Sequence, residues 1–269
     1  FTGWMLVFGG SMLGLVFSDN LIELFTFWEL TTIASYMLIG FYDQKEAARA
    51  GALQALLMTG LGSLVMLAGF VMVGEAAGSY SISEILRSAP RGPLVEVAAG
   101  CILIGAFTKS AQVPFHSWLS SAMVAPTPAS AYLHAASMVK AGVFLIGRLS
   151  PALATTGLWR PSCLLVGILT MFTGAYRALR QYDLKLLLAF GTISQLGAMV
   201  ALFGLATPQT ALAGVVVLLA HAMYKSAMFI SGGIIEKLSG KRDIRHLNGL
   251  GKQEPVLFVA SALAAGFPH

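Results

Sequence analysis

The chain has 269 residues, of which 57% are hydrophobic and only 11% charged, with a mean hydropathy of +0.77. Soluble domains carry roughly 25% charged residues, so this composition excludes an ordinary soluble globule and argues for a polytopic α-helical membrane protein. The formal charge of +5 would suit a nucleic-acid binder in a soluble protein. Here the basic residues sit mostly in short loops between apolar runs, so topology accounts for them and no nucleic-acid partner is expected.

Eight apolar runs are long enough to cross roughly 30 Å of hydrocarbon at about 1.5 Å per residue. In chain order they cover residues 2–18, 21–41, 50–75, 94–118, 127–147, 161–177, 184–205 and 210–235. A ninth begins near residue 255 and is cut at "AAGFPH". The chain also begins at Phe1 rather than Met. Residues 1–269 are therefore expected to form one transmembrane domain that is an internal fragment of a longer protein. Cys101 and Cys163 fall inside apolar runs and read as small buried hydrophobes rather than as a disulfide or metal ligands. There is no phosphate loop, catalytic triad or Cys/His cluster, so neither an enzyme nor a cofactor is expected.

Counting basic residues in alternate loops assigns an orientation. Arg87, Arg91, Arg148 and Arg160 lie on one side, and ten Lys and Arg lie on the other. The richer side is the cytoplasmic one. That leaves Lys109, Lys140 and Lys225, each deep in an apolar run, and a single deep carboxylate, Glu29.

A charge at mid-bilayer costs roughly 2.5–3.5 kcal/mol on insertion scales. These four groups should therefore face the bundle interior, and pairing Glu29 with Lys109 is the least expensive arrangement. Pro114 follows Lys109 closely in "GAFTKSAQVPFHSWL". Proline lacks an N–H and clashes with the carbonyl four residues earlier, so the fourth run should break near residues 110–114. Freed carbonyls at that depth need protein or water partners, which makes the break a place for protons. Pro126 and Pro128 fall at a helix start, where missing donors cost little, so the fifth run is expected to be largely regular. His134 and Lys140 can line one groove across small residues, and His221 and Lys225, four apart, share a helix face. One deep carboxylate and several deep amines make up the inventory of a proton relay. The bland alternative is a membrane scaffold whose buried charges form inert pairs.

Four blocks, "FTFWELTTIASYMLIGFY", "GAFTKSAQVPFHSWLSSAMVAPTPASAYLHAASMVKAGVFLI", "DLKLLLAFGTISQLG" and "HAMYKSAMFISGGIIE", occur in the order seen in a known family. They resemble the antiporter-like subunits shared by Mrp-type cation/proton antiporters and respiratory complex I. Lys140 in "SMVKAG" and the loop "KRDIRHLNGL" favour the large A-type subunit of Mrp antiporters over the L-type subunit of complex I. The resemblance implies an all-α bundle with a broken helix, acting as the proton-translocating subunit of a multi-subunit Na⁺/H⁺ antiporter in a bacterial or archaeal cell membrane. Its partners would be other membrane subunits, H⁺, Na⁺ and the lipid bilayer. The alternative is a proton-pumping subunit of NADH-quinone oxidoreductase or a membrane-bound hydrogenase.

By resemblance, Glu29 matches the glutamate partnered with the lysine of the broken helix, Lys109. His134 and Lys140 match the next relay positions, and His221 and Lys225 those leading toward a second broken helix beyond this fragment. Lys185 matches a lysine of the central polar axis, although it lies near the end of its run. "HSWLSSAM" departs from the family pattern, which often has a proline after the leucine. The sodium site is expected in a missing region or another subunit.

Overall fold

A computed structural model describes residues 1–266. The end of the ninth run, residues 267–269, lies outside the described residues. Every regular element is helical, in the order α1 (Thr2–Phe17), α2 (Leu21–Ile39), α3 (Glu46–Ala77), α4 (Ile82–Ser88), α5 (Pro93–Lys109), α6 (Ser117–Ser121), α7 (Thr127–Ser130), α8 (Lys140–Leu153), α9 (Trp159–Leu179), α10 (Leu184–Gly204), α11 (Pro208–Ser239), α12 (Leu250–Gln253) and α13 (Pro255–Gly266). Two isolated bridges, Asn20 with Ser81 and Asp183 with Asp243, are the extended pairings among the described residues. The fold is thus an all-α polytopic bundle. Among the described residues six helical segments are long and apolar enough to cross a membrane: α2, α3, the stretch Thr127–Leu153, α9, α10 and α11. Helices α1 and α13 are apolar but shorter.

Local chemistry sets the helix ends. Asn20 accepts from the backbone of Ile22 and Glu23 to start α2, and Asp183 accepts from Leu186 to start α10. Thr207 and Thr210 form a reciprocal capping box at α11. Gly78 and Gly240 close α3 and α11 in the left-handed conformation that glycine adopts without a Cβ penalty.

Small residues set the packing, as expected where lipid removes the hydrophobic drive for helix association. A Cβ on Gly167 would lie 2.7 Å from the Gly197 carbonyl oxygen, and one on Gly197 would lie 2.5 Å from that of Gly167, so α9 and α10 touch backbone to backbone. Gly69 admits the Ala98 carbonyl in the same way, drawing α5 onto α3.

The loops sort into two ends, as the charge count requires. At one end Asp19 accepts from Ser81, from the Ser83 hydroxyl and from the Ser83 backbone N–H, and pairs with Arg148 at 3.3 Å. These contacts hold the Asp19 carboxyl below its ordinary value of 3.8. Glu96 accepts from Gly157 and Leu158 nearby. At the other end Arg242 reaches Asp183, Glu236 and the Met123 carbonyl. Loops on one predicted side contact only partners on that side in these clusters.

Both proline expectations bear on the site. The fourth run breaks as expected. Helix α5 ends at Lys109, Ala111 takes a left-handed φ of 49°, Val113–Pro114 is cis, and regular helix resumes at Ser117. The fifth run is not regular, contrary to expectation. After one turn of α7 the chain widens into a π-helix over Ala131–Ala136, is interrupted at residues 137–139, and restarts as α8 at Lys140. The prolines are not the cause. The Ser137 hydroxyl and backbone N–H both donate to the Tyr132 carbonyl, which fixes the wide turn and stops it from continuing.

Candidate functional site

Two of the three deep lysines, Lys109 and Lys140, sit where backbone acceptors are available. Lys109 is the last residue of α5 and is fully buried. Its Nζ donates to Thr32 Oγ1 at 2.7 Å and to the Trp28 carbonyl at 3.2 Å, both on α2, and lies 5.2 Å from the centre of the Trp28 ring. The carboxylate of Glu29 is expected within salt-bridge or one-water distance of the amine; no direct salt bridge joins the two, although Glu29 lies within electrostatic reach of Lys109. The lysine does reach the helix that carries Glu29, but the hydroxyl, carbonyl and ring beside the carboxylate occupy it. Glu29 is half-buried, and its Oε1 is buried without a protein partner.

The break that ends α5 also positions Trp118. Its indole donates to the Thr108 carbonyl at 2.9 Å, one residue from Lys109. The same ring lies tilted beside His134, with ring centroids 6.1 Å apart. His134 lies in the π-helix, fully buried, with neither ring nitrogen hydrogen-bonded to protein. The next residue's carbonyl, Ala135, accepts from Lys140 Nζ. A lysine at the first position of α8 thus folds back onto a carbonyl freed by the interruption before it. This brings His134 and Lys140 together despite their sequence separation.

His221 and Lys225 are buried on α11, on one face as expected. His221 stacks edge-on against Tyr224 at 5.4 Å, and Lys225 Nζ lies 5.7 Å from the same ring. Lys225 crosses to α10, where its Nζ would be 3.0 Å from a Cβ on Gly191. Lys140, His221 and Lys225 lie within electrostatic reach of one another. The histidine ring nitrogens again have no protein partner. Buried polar atoms are normally satisfied, so His134, His221 and Glu29 form a set of unengaged proton acceptors beside three amines.

Lys185 lies apart from these groups, near the start of α10. It is buried and pairs with Glu236 of α11 at 3.1 Å. The pair lines a cavity of about 1010 Å³ at the end of the bundle that carries Arg242, bounded by Lys45, Thr127, Tyr132 and Ser226 among others.

Several residues of this constellation were not singled out in the sequence: Thr32, Ser110, Trp118 and Glu236. Trp118 and Thr32 carry no spacing signal, because their roles depend on which helices meet. Ser110, immediately after Lys109, donates to the Val139 carbonyl at 2.7 Å and accepts from the Val143 N–H at 3.1 Å. Among the described residues no group of three His, Cys, Asp or Glu is placed to hold a metal ion.

Comparison with known proteins gives consistent matches. The family described as NADH:quinone oxidoreductase/Mrp antiporter, transmembrane, matches residues 18–267. The A/B-type subunit of a probable K⁺/H⁺ antiporter of Rhizobium meliloti is 48% identical over all of this chain and 28% of its own length. The A-type subunit of the Na⁺/H⁺ antiporter of Bacillus subtilis is 42% identical over 98% of this chain and 35% of its own length. Among solved structures, the Mrp complex of Dietzia sp. DQ12-45-1b superposes with a TM-score of 0.93 at 40% identity, over 98% of this chain and 29% of that one. An archaeal membrane-bound sulfane sulfur reductase superposes with a TM-score of 0.89 at 25% identity, over 97% of this chain and 54% of that one. The chain therefore spans about a third of the curated relatives it matches.

Proposed function

Because this chain belongs to the NADH:quinone oxidoreductase/Mrp antiporter transmembrane family, we propose that it is the proton-translocating part of a multi-subunit cation/proton antiporter, with Na⁺ as the exchanged cation. The observation that carries this reading is the placement of Lys109 and Lys140 at two helix interruptions, each ammonium held by backbone acceptors. Such contacts are exchangeable. A lysine bound to a carbonyl can give up its proton and turn away without leaving a carboxylate unpaired in the bundle.

The proton route runs laterally through the bundle. Glu29 and Lys109 form one end, Trp118 and His134 lie between the two breaks, and Lys140, His221 and Lys225 form the other end. Two ammonium groups within reach of each other repel, so a proton arriving at Lys140 favours departure from Lys225. The histidines, with both ring nitrogens unengaged, can accept on one nitrogen and donate from the other. The pathway assigns Glu29 the role of a nearby negative charge rather than a contact partner of Lys109. Membership in a bacterial-type cell-membrane complex with further subunits follows the relatives and is part of the same proposal.

The greater identity to antiporter subunits, 40–48%, against 25% for the respiratory reductase, favours exchange over redox-driven pumping. The test is cation/proton exchange by the full-length protein in its assembled complex, reconstituted in vesicles, with Lys109→Ala, Lys140→Ala and Lys225→Ala. Each should lose about a hundredfold or more in rate, the lower end of the scale at which a positioned proton-transfer group acts. Near-normal exchange in all three, with intact assembly, would refute the relay.

A further inference from the structure

We propose that Glu236 is the proton-accepting residue at the cytoplasmic mouth of this pathway, and that it controls when Lys185 can pass a proton inward. The inference rests on the proton-transport reading above and adds a residue that reading does not use.

The geometry is directional. Glu236 Oε2 lies 3.1 Å from Lys185 Nζ, yet the two differ in exposure, the lysine side chain being 9% accessible and the carboxylate 32%. Both line the cavity, with Glu236 the more accessible member of the pair. That cavity extends from a basic rim at Lys45 and Arg242 to Tyr132, Ala136 and Ser226. Tyr132 and Ala136 belong to the π-helix that carries His134, and Ser226 adjoins Lys225. On α10, Lys185 lies six residues before Gly191, against which Lys225 packs. That is roughly 9 Å along a helix rising about 1.5 Å per residue. The cavity therefore runs from Lys185 and Glu236 to the π-helix that carries His134 and to the residue next to Lys225.

The charges around Glu236 suit a releasable pair. Lys185 approaches from α10, Arg242 and Lys45 from loops, and Lys237 from α11 itself, with Asp183 the other acid of the cluster. Arg242 Nε is 3.5 Å from Glu236 and 3.4 Å from Asp183, but makes an aligned hydrogen bond to neither. Arg242 is shared between two carboxylates and keeps Asp183 when Glu236 is neutralised. The cost of protonating Glu236 falls on Lys185, which loses its counter-charge.

The step balances with protons alone. A hydronium ion in the cavity gives its proton to the Glu236 carboxylate. Lys185, no longer paired, releases a proton from Nζ toward the interior. The Glu236 carboxylic acid then reprotonates Lys185, and the ion pair re-forms. One proton has moved inward, and only O–H and N–H bonds have changed.

The experiment uses the full-length protein in its complex, in vesicles with controlled internal and external pH. Glu236→Gln should lower exchange at least about tenfold and remove one step from the cytoplasmic-side pH profile, whereas Glu236→Asp should keep both to within about threefold. A Glu236→Gln complex that assembles and retains the wild-type rate and profile overturns the proposal. If Lys109→Ala is inactive in the same preparation, the transport reading survives that failure. If Lys109→Ala is also normal, the transport reading falls with it. Should Glu236→Gln fail to assemble, the wild-type complex is treated with a carbodiimide, which reacts with protonated carboxyls. Modification of Glu236, located by mass spectrometry, should rise as the cytoplasmic side is acidified and should track loss of exchange. No modification, or modification without loss, would overturn the assignment.

Discussion

Replacing Thr32 with valine removes one acceptor from a buried ammonium while keeping the side chain's shape. The hydroxyl is 2.7 Å from Lys109 Nζ, and both residues are buried, at 1% and 0% accessibility. Hydrogen bonds to charged groups are worth about 1.5–3 kcal/mol. Lys109 keeps the Trp28 carbonyl at 3.2 Å and the Trp28 ring at 5.2 Å, which places the loss in the lower half of that range, about 1.5–2 kcal/mol. The Trp28 carbonyl loses the Thr32 donor but keeps Thr31 and Lys109, so no orphaned group adds to the cost. A double-mutant cycle with Lys109→Met isolates the pair. Thr32→Val should be nearly neutral in the Lys109→Met background and costly in the wild type. Equilibrium unfolding of the purified protein in mixed detergent micelles provides the four free energies. A coupling below about 0.5 kcal/mol, the usual error of additivity for independent sites, would refute the idea that Thr32 holds Lys109.

Three further outcomes are expected. Gly142→Ala would drive a Cβ into the Ala106 carbonyl oxygen and Ser110 Oγ, so it should destabilise by about 1–3 kcal/mol; Gly60→Ala, with open space around it, should stabilise by up to about 1 kcal/mol, and the same unfolding assay compares them. Asp243, held down to about 2 by the Arg245 side chain and backbone N–H, contributes order to its loop above its ordinary value of 3.8 and loses that contribution as pH falls from 3.8 toward 2. Pepsin cleavage between residues 240 and 250 should rise across that window in the wild type and already be high at about pH 4 in Asp243→Asn. Lys140→Met leaves the Ala135 carbonyl without its donor, so hydrogen exchange at residues 137–141 should speed up by roughly tenfold or more, as for the loss of a bond worth about 1.5 kcal/mol. An unchanged rate there would show that the interruption does not depend on the lysine.

The helical class, the two-ended sorting of loops and the first interruption were legible because each has a local cause: apolar length, loop charge, and a proline beside a lysine; of the eight complete runs expected, six helical segments among the described residues reach spanning length, because α1 and α5 stop short of it. The second interruption was not. "AYLHAASMVKAG" contains no breaker before its lysine, and the wide turn is set by Ser137 back-bonding to Tyr132 and by a lysine that satisfies the freed carbonyl. Pairing Glu29 with Lys109 followed from cost, yet Thr32 and Trp28 supply acceptors that a count of charges ignores. Glu236 closes the block "HAMYKSAMFISGGIIE", where no spacing in the sequence marks it. The packing of α11 on α10 places it against Lys185, and the loop after α11 adds Arg242 and Asp243 against Asp183.

Ser110 acts as a common pin for two hinges. Its hydroxyl closes an open carbonyl at the second interruption and an open amide at the start of α8, while its own backbone belongs to the first. Sliding one broken helix past the other would detach both bonds at once and leave a donor and an acceptor exposed in a dry interior, at a cost of about 1–3 kcal/mol for each. The end of α5 and the beginning of α8 are therefore yoked. Lys109 terminates the first and Lys140 begins the second, so any backbone displacement that carries one ammonium group is transmitted mechanically to the other. The neighbouring Gly142 keeps the yoke short by letting α8 seat directly on the Ala106 carbonyl.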